Sequence, residues 1–426
     1  MSQSLSTLYV KESGSIKGRS ATEYAVIFAV CFVSSLFGGI VSTLMSVYLP
    51  VAVKDLLGNV STSELNEVGA YINAVFIFGW TFGGFIWGLI SDKLGRAKSV
   101  NLSTACFGIF TLLTGLAPNW FVVTVCRFFS GFGVGGVLVT TTILVSEVWS
   151  EKKRAVILGI LSISIPVGIF SAGLINYFLP HWREAFAVGL VPIVLALVSV
   201  FILPESENWK ANKNLSKAKK MQGAQILADS NRNNLIIGSL IFGTMLIGMW
   251  AIFSWLPTWV QSFATEDAQH ERGMSMMLLG AGGLTGGFIS GWVVNAIGLR
   301  KTMLICFGIC LVMSFLLFKL NNSFSTAAYI EIAFLALFFG ISQGVLSVYI
   351  PGLFPTGIRA SATGLCFNIG RLFTATAVFF VGALVSFLGG YGNAIFIFSF
   401  IFLIGFIVTF FSRESSVSII DAEKLN

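Results

Sequence analysis

Apolar residues in this chain neither alternate nor keep to one side of a helix. They run almost unbroken for twenty or more positions at a time. Twelve such runs can be marked, near residues 25–50, 67–90, 98–117, 120–146, 155–178, 184–203, 234–262, 274–297, 302–319, 326–350, 361–388 and 391–411. A helix needs about 20 apolar residues to cross a bilayer, whereas a barrel strand needs only about ten of alternating polarity. Lipid offers the backbone no hydrogen bonds, so runs of this length predict helices. Polar residues gather between the runs, and the one long polar stretch is 204–233. The expectation is an all-α membrane protein of twelve transmembrane helices in two pseudo-symmetric six-helix bundles. An N-terminal tail covers 1–24, the bundles 25–203 and 234–411, the linker 204–233 and a C-terminal tail 412–426. Residues 1–24 lack a short hydrophobic core with a small-residue cleavage site, so no cleaved signal peptide is expected.

Composition removes the alternatives. Of 426 residues, 55% are hydrophobic and 11% charged, and the mean hydropathy is +0.87. An ordinary soluble domain carries roughly 25% charged residues, and this chain could not cover its own surface. Disordered, collagen-like and coiled-coil classes fail on the same figures. Six cysteines (31, 106, 126, 306, 310 and 366) lie in apolar runs and read as small core residues, not as a disulfide or metal framework. The net charge of +7 points to basic loops rather than to nucleic acid. With both termini placed in the cytoplasm, 20 Lys and Arg fall inside, four outside (Lys54, Arg183, Arg272, Lys319) and two within spans (Arg127, Arg371). That bias sets the orientation.

The halves repeat. Gly83-Gly84-Phe85-Ile86-x-Gly88 ends the second run, and Gly286-Gly287-Phe288-Ile289-x-Gly291 ends the eighth, 203 residues later. Gly95 and Gly298 align in the same register, as do Lys98 and Lys301. Two parallel repeats place a binding site at their interface, near the middle of the bilayer.

Residues 88–98, Gly-Leu-Ile-Ser-Asp-Lys-Leu-Gly-Arg-Ala-Lys, resemble the loop 2–3 signature of the major facilitator superfamily. Glu147 followed by Arg154 is similar to the loop 4–5 pattern of its sugar-porter and organic-ion branch. Pro204-Glu205-Ser206-x-x-Trp209 is similar to that branch's segment after the sixth span. Arg127-Phe-Phe-Ser-Gly131-x-Gly133-x-Gly135 resembles the fourth-span motif. Leu353-Phe-Pro355-Thr-x-x-Arg359, then Asn368-x-Gly370-Arg371, resembles bacterial carriers of aromatic acids, nicotinate and sialic acid. The resemblance implies a secondary transporter working by alternating access. Two departures stand out. The aspartate usual in the first span of proton-coupled acid symporters is absent from Phe37–Ser46. The acids of the gate patterns in the second half are replaced by Asn295 and Gly352. An asymmetric cytoplasmic gate is therefore expected, built on Gly88, Asp92, Gly95, Arg96, Glu147, Arg154 and Arg359. Gly84 and Gly88 would allow close helix approach and Gly95 a tight turn. The alternative for Asp92 is simple anchoring at the headgroups.

Charge inside the membrane is costly and needs a reason. Arg371 lies about ten residues into the eleventh run, or about 15 Å deep at 1.5 Å per residue. It pairs with an anionic substrate, or it is satisfied by carbonyls or an acid. Arg127, in the fourth run, is open to substrate binding, proton coupling or structure. Glu331 is the single carboxylate well within a run, near the slot that Arg127 takes in the other half. It is either a proton carrier or an acid at the outer headgroups. Asn368 shares a face with Arg371. Gln343 and Ser347 are one turn apart. Trp250, Trp255 and Trp259 surround Pro257 and either stack on a ring or form an interfacial belt. Pro166 and Gly168 mark a kink or ordinary packing.

Catalysis finds no constellation here. His181 and His270 fall in separate outer loops, and no HExxH, Gly-x-Ser-x-Gly or phosphate-cradling loop occurs. A sensor would need an output domain. The expected protein is not an enzyme and has no cofactor, with a proton as coupling ion. It imports a small organic anion such as an aromatic or sugar acid. A neutral sugar or polyol, or uncoupled diffusion, is the alternative. Its partners are the small-molecule substrate and the lipid bilayer, with no nucleic acid, and it acts as a monomer in the cell membrane.

Overall fold

In a computed structural model the described residues are 19–58, 60–212, 229–355 and 358–412. All their regular structure is helical. Twelve helices are long and apolar enough to span a bilayer: α1 (Ala21–Leu57), α2 (Thr62–Leu94), α3 (Arg96–Leu116), α4 (Trp120–Val148), α5 (Val156–Phe178), α6 (Trp182–Ile202), α7 (Asn231–Gln261), α8 (Gln269–Ile297), α9 (Leu299–Leu320), α10 (Thr326–Gly352), α11 (Ser361–Ala383) and α12 (Tyr391–Phe411). The protein is a multi-pass membrane protein.

The helices outrun the apolar stretches that announce them, because their ends are capped in polar surroundings. Ser20 and Ser61 accept hydrogen bonds from the backbone N–H of Glu23 and Glu64, each at 3.2 Å. Asn119 does the same for Val122 at 3.0 Å. Of the linker expected over 204–233, residues 204–212 and 229–233 are described. Residues 204–212, including the short helix Glu207–Asn212, bind the first bundle. Lys213, Lys217, Lys219 and Lys220 lie outside the described residues, as do the tails 1–18 and 413–426.

The sequence repeat is a packing repeat. A side chain at Gly79 or Gly83 would strike the carbonyls of Phe128 and Phe132 on α4, and one at Gly282 or Gly286 would strike those of Ala333 and Leu337 on α10. Small residues let these helices approach backbone to backbone. The α2–α3 and α8–α9 turns match as well. Gly95 (φ 111°) and Gly298 (φ 88°) occupy a backbone region open mainly to glycine.

The bundles meet along two seams, and both seams close toward one face. The face carrying the α2–α3 turn and the segment after α6 is called the basic face here, and the opposite one the far face. Between α5 and α8, an added Cβ at Gly173 would lie 2.5 Å from the Gly273 carbonyl oxygen. Gly280 abuts the Phe170 backbone, and at Gly283 the nearest atom, on Pro166, is 3.7 Å away. Further toward the basic face, Gly287 and Gly159 meet nothing within 4 Å. The seam between α2 and α11 behaves alike. Gly382 is crowded by Trp255 and Ala70, Gly84 by Asn368, and Gly364 by nothing. All the described hydrogen bonds between bundles lie in the far half. Asn73 donates to the Ser254 carbonyl at 3.3 Å, Gln269 to the Asn176 carbonyl at 2.8 Å, Arg272 to the Val47 carbonyl at 3.0 Å, and Tyr391 to Asn66. The protein is sealed at the far face and parted at the basic face.

Candidate functional site

Where closed seam gives way to open cleft, side chains from both bundles converge at mid-height. Arg371 and Asn368 project from α11, one helical turn apart, and Arg371 Nη1 donates to Asn368 Oδ1 at 3.2 Å. The guanidinium carbon sits 5.9 Å from the centre of the Trp80 ring, at the outer limit of a cation–π contact. Trp80 on α2 meets Trp250 on α7 edge to face, their centroids 5.1 Å apart. Asn368 reaches α2 itself, because a Cβ at Gly84 would lie 2.9 Å from its Oδ1. Both tryptophans and Asn368 are buried, while Arg371 is partly exposed. The result is one cationic fork walled by two indoles, at the interface of the bundles. Such a site offers a carboxylate two N–H donors and a flat apolar group two aromatic faces.

Sequence reasoning proposed Arg371, Asn368 and Trp250, and the structure brings them together. It missed Trp80, which reads as one more aromatic in an apolar run. The residue that betrays it is Gly84, one turn on, whose neighbour in the other bundle is Asn368. Gln343 on α10 keeps a buried Nε2 without a hydrogen-bond partner. Ser347 is exposed and bonds its own helix.

Arg127 is apart from this cluster. It is 1% exposed, donates to the Val41 carbonyl at 3.1 Å and stacks on Phe76 with 4.0 Å between guanidinium carbon and ring centre. Its Nε is unpartnered. Val41 belongs to the stretch of α1 that lacks an acid, so a carbonyl stands where a carboxylate would pair. Arg127 still adjoins the site indirectly, since Phe76 packs edge to face on Trp80.

Two expected residues are elsewhere. Trp255 is not in the central site. It is 1% exposed in the far-face seal, its Nε1 bonded to the Val378 carbonyl at 3.2 Å and its ring stacked on Tyr391. Trp259 packs on Phe263, Phe318 and Phe324 nearby. Glu331 sits in the sixth position of α10, at the far end, and accepts from Asn321 Nδ2 at 2.7 Å. The packing repeat explains the shift. Phe128 and Phe132 correspond to Ala333 and Leu337, so the counterpart of Arg127 is the buried Ile332. Glu331 is one residue off, a rotation of about 100° on a helix. Glu331→Gln is therefore expected to change uptake by no more than about twofold, as for a substitution remote from the machinery. Loss of acid-stimulated uptake in that variant would restore Glu331 as a carrier.

The expected gate forms a different object. Arg96 binds Asp92 at 2.9 Å and Glu147 at 2.9 Å. Glu205 caps α3, accepting from the N–H of Arg96 at 2.7 Å and of Ala97 at 3.0 Å, as an anion does at a helix N-terminus. Ser206 donates to Glu147 at 2.5 Å and Trp209 Nε1 to the Asp92 carbonyl at 2.9 Å. Gly95 has no room for a side chain beside Glu205. Gly88 is not tightly packed, with Val139 at 3.9 Å. Arg154 Nε has no partner, and Arg359 donates to the Phe354 carbonyl at 3.3 Å in the other bundle. The described bonds of the cluster stay within the first bundle. Asn295, in the matching place of the second half, is exposed.

The family model for the Major Facilitator Superfamily matches residues 24–373. A cis,cis-muconate transport protein of Acinetobacter baylyi is 29% identical over 341 residues, covering 77% of this chain and 80% of that one. The sialic acid transporter NanX of Escherichia coli is 28% identical over 331 residues, covering 75% and 78%. The xylose transporter XylE of Escherichia coli, in an inward-open conformation, superposes with a TM-score of 0.77 at 17% identity, over 95% of this chain and 99% of that one.

Proposed function

The chain belongs to the Major Facilitator Superfamily, and on that premise we propose that it carries a small organic anion, such as an aromatic or sugar acid, into the cell by alternating access. It is a transporter and not an enzyme. One observation carries the anion: Arg371 stands at mid-height between the bundles, against Trp80, with no carboxylate of the described chain within ion-pair distance. A charged group in the middle of a membrane protein marks a substrate or ion pathway by default. Relatives named for muconate and sialic acid transport support the same class. The excess of Lys and Arg supports a cytoplasmic basic face, and on that reading the conformation described is inward-open. In the opposite conformation the Asp92–Arg96–Glu147 cluster would meet the second bundle and lock that face.

The neutral-sugar reading rests on two amides, Asn368 and the unpartnered Gln343, which suit hydroxyl groups. A thermal-shift screen of purified protein separates the two. Ligands that bind the folded state raise its melting temperature by mass action. 4-Hydroxybenzoate, cis,cis-muconate or N-acetylneuraminate should shift it while xylose does not. A shift with xylose alone would reverse the assignment.

A further inference from the structure

The placement of charge along the membrane normal bears on what drives transport. Three arginines near the faces have carboxylates, Arg96 with Asp92 and Glu147, Arg183 with Asp55 at 3.3 Å and buried Arg272 with Asp267, while Arg300 and Arg359, in polar surroundings at the basic face, bind backbone carbonyls. The two arginines inside the membrane have none among the described residues. Arg127 is held by a carbonyl and a phenyl ring, and Arg371 by an amide and an indole. Nor does the chain have a carboxylate to lend them. Every Asp and Glu within a span lies in its first or last six residues, and both histidines are at the far ends. The two deepest by that count, Glu67 and Glu331, are bonded to Tyr71 and Asn321.

Arg371 is partly exposed in this conformation, and on the present reading the open cleft is what supplies it with water. To cross to the other conformation, the protein must pass through a state sealed at both faces. There the guanidinium loses that water. A bound carboxylate replaces the water with a paired charge, whereas an empty site leaves a buried cation alone, which is the costlier state. The loaded carrier therefore crosses readily and the empty one slowly. No residue at this level can take up a proton in the anion's stead.

From this we propose that the protein is an anion exchanger: each organic anion entering is coupled to one leaving, with Arg371 charge-paired in both directions and no proton carried by the protein. The proposal rests on the anion reading above. It assigns the coupling that reading leaves open.

The test uses the purified full chain in proteoliposomes, with the membrane potential clamped by potassium and valinomycin. Vesicles hold 4-hydroxybenzoate, cis,cis-muconate, N-acetylneuraminate or only a zwitterionic buffer. Entry of the same radiolabelled anion is followed with and without an acid-outside pH gradient. Entry into anion-loaded vesicles should exceed entry into buffer-loaded ones at least about tenfold, a difference of about 1.4 kcal/mol in the crossing of the empty carrier. The pH gradient should change neither rate. Arg371→Ala should lose exchange, and Arg371→Lys, which keeps the charge, should retain the preference for loaded vesicles. Equal entry into buffer-loaded vesicles, or accumulation driven by the pH gradient, overturns exchange and leaves the anion reading standing. If no anion moves in an Arg371-dependent way in any arm, both fall together.

Discussion

Arg371→Ala is expected to lower the transport efficiency for an organic anion by at least about thirtyfold. Truncating one partner of a buried charge pair costs about 2–5 kcal/mol, and each 1.4 kcal/mol is a factor of ten. The loss should appear in substrate affinity, because Arg371 provides the only cationic donors described at the centre of the cleft. Folding should be little affected, since the side chain has one described hydrogen bond and one distant ring contact. Arg371→Lys should recover part of the activity. Lysine supplies the charge but not the planar fork that fits a carboxylate. Initial rates of labelled 4-hydroxybenzoate or muconate uptake, together with the melting temperature of each variant, check both statements. Full uptake in Arg371→Ala would remove the anion assignment.

The second large effect lies far from any ligand. Gly173→Leu should cut uptake about tenfold or more while sparing the binding of anion from outside. At the closed far face, Gly173 lies against the backbone of Gly273 and Met277, and any Cβ there would be 2.5 Å from a carbonyl oxygen. Overpacking of this kind typically costs about 1–3 kcal/mol, and it costs that only in the conformation where the seam is shut. The variant should therefore dwell with its far face open. Gly159→Leu, on the same helix toward the basic face, meets nothing within 4 Å and should leave the far face closed. Labelling from the far face of a cysteine placed at Ala70, buried where that face is shut, reads the difference. Normal uptake by Gly173→Leu would mean that this seam does not need to close.

Both residues differ from their surroundings in how far the sequence reveals them. The twelve spans are legible because little besides a bilayer calls for apolar runs of that length. The repeat is legible because close backbone approach demands glycine at fixed offsets, and the same offsets recur at Gly79, Gly83, Gly282 and Gly286. Arg371 is visible for a simpler reason: a charge at that depth is expensive. What escapes depends on which way a side chain turns and on what comes opposite from a distant part of the chain. Arg272 counts as a loop charge in the sequence, yet it is 1% exposed and spans the seam to Val47. Glu331 is in the right span and one residue off the right face. Trp255 and Trp250 are five residues apart, yet one is in the far-face seal and the other in the central cluster. The partner of Trp250 is Trp80, 170 residues earlier, and no local pattern joins them. Glu205 belongs to a family-like motif, but its task of capping α3 appears only when α6 returns beside the α2–α3 turn.

Transport by this route requires that the bundles swing in opposite senses about Arg371 and that the anion eases the swing. Electron–electron distance measurements between spin labels test that requirement most directly. One pair would sit at Ser63 and Glu266 on the far face and another at Lys98 and Lys301 on the basic face, with the native cysteines replaced. Without ligand, the far-face pair should be short and the basic-face pair long. Adding a transported anion should populate the reverse combination, and Arg371→Ala should not respond. Two distances that change in the same sense, or a response to anion that survives in Arg371→Ala, would contradict the account.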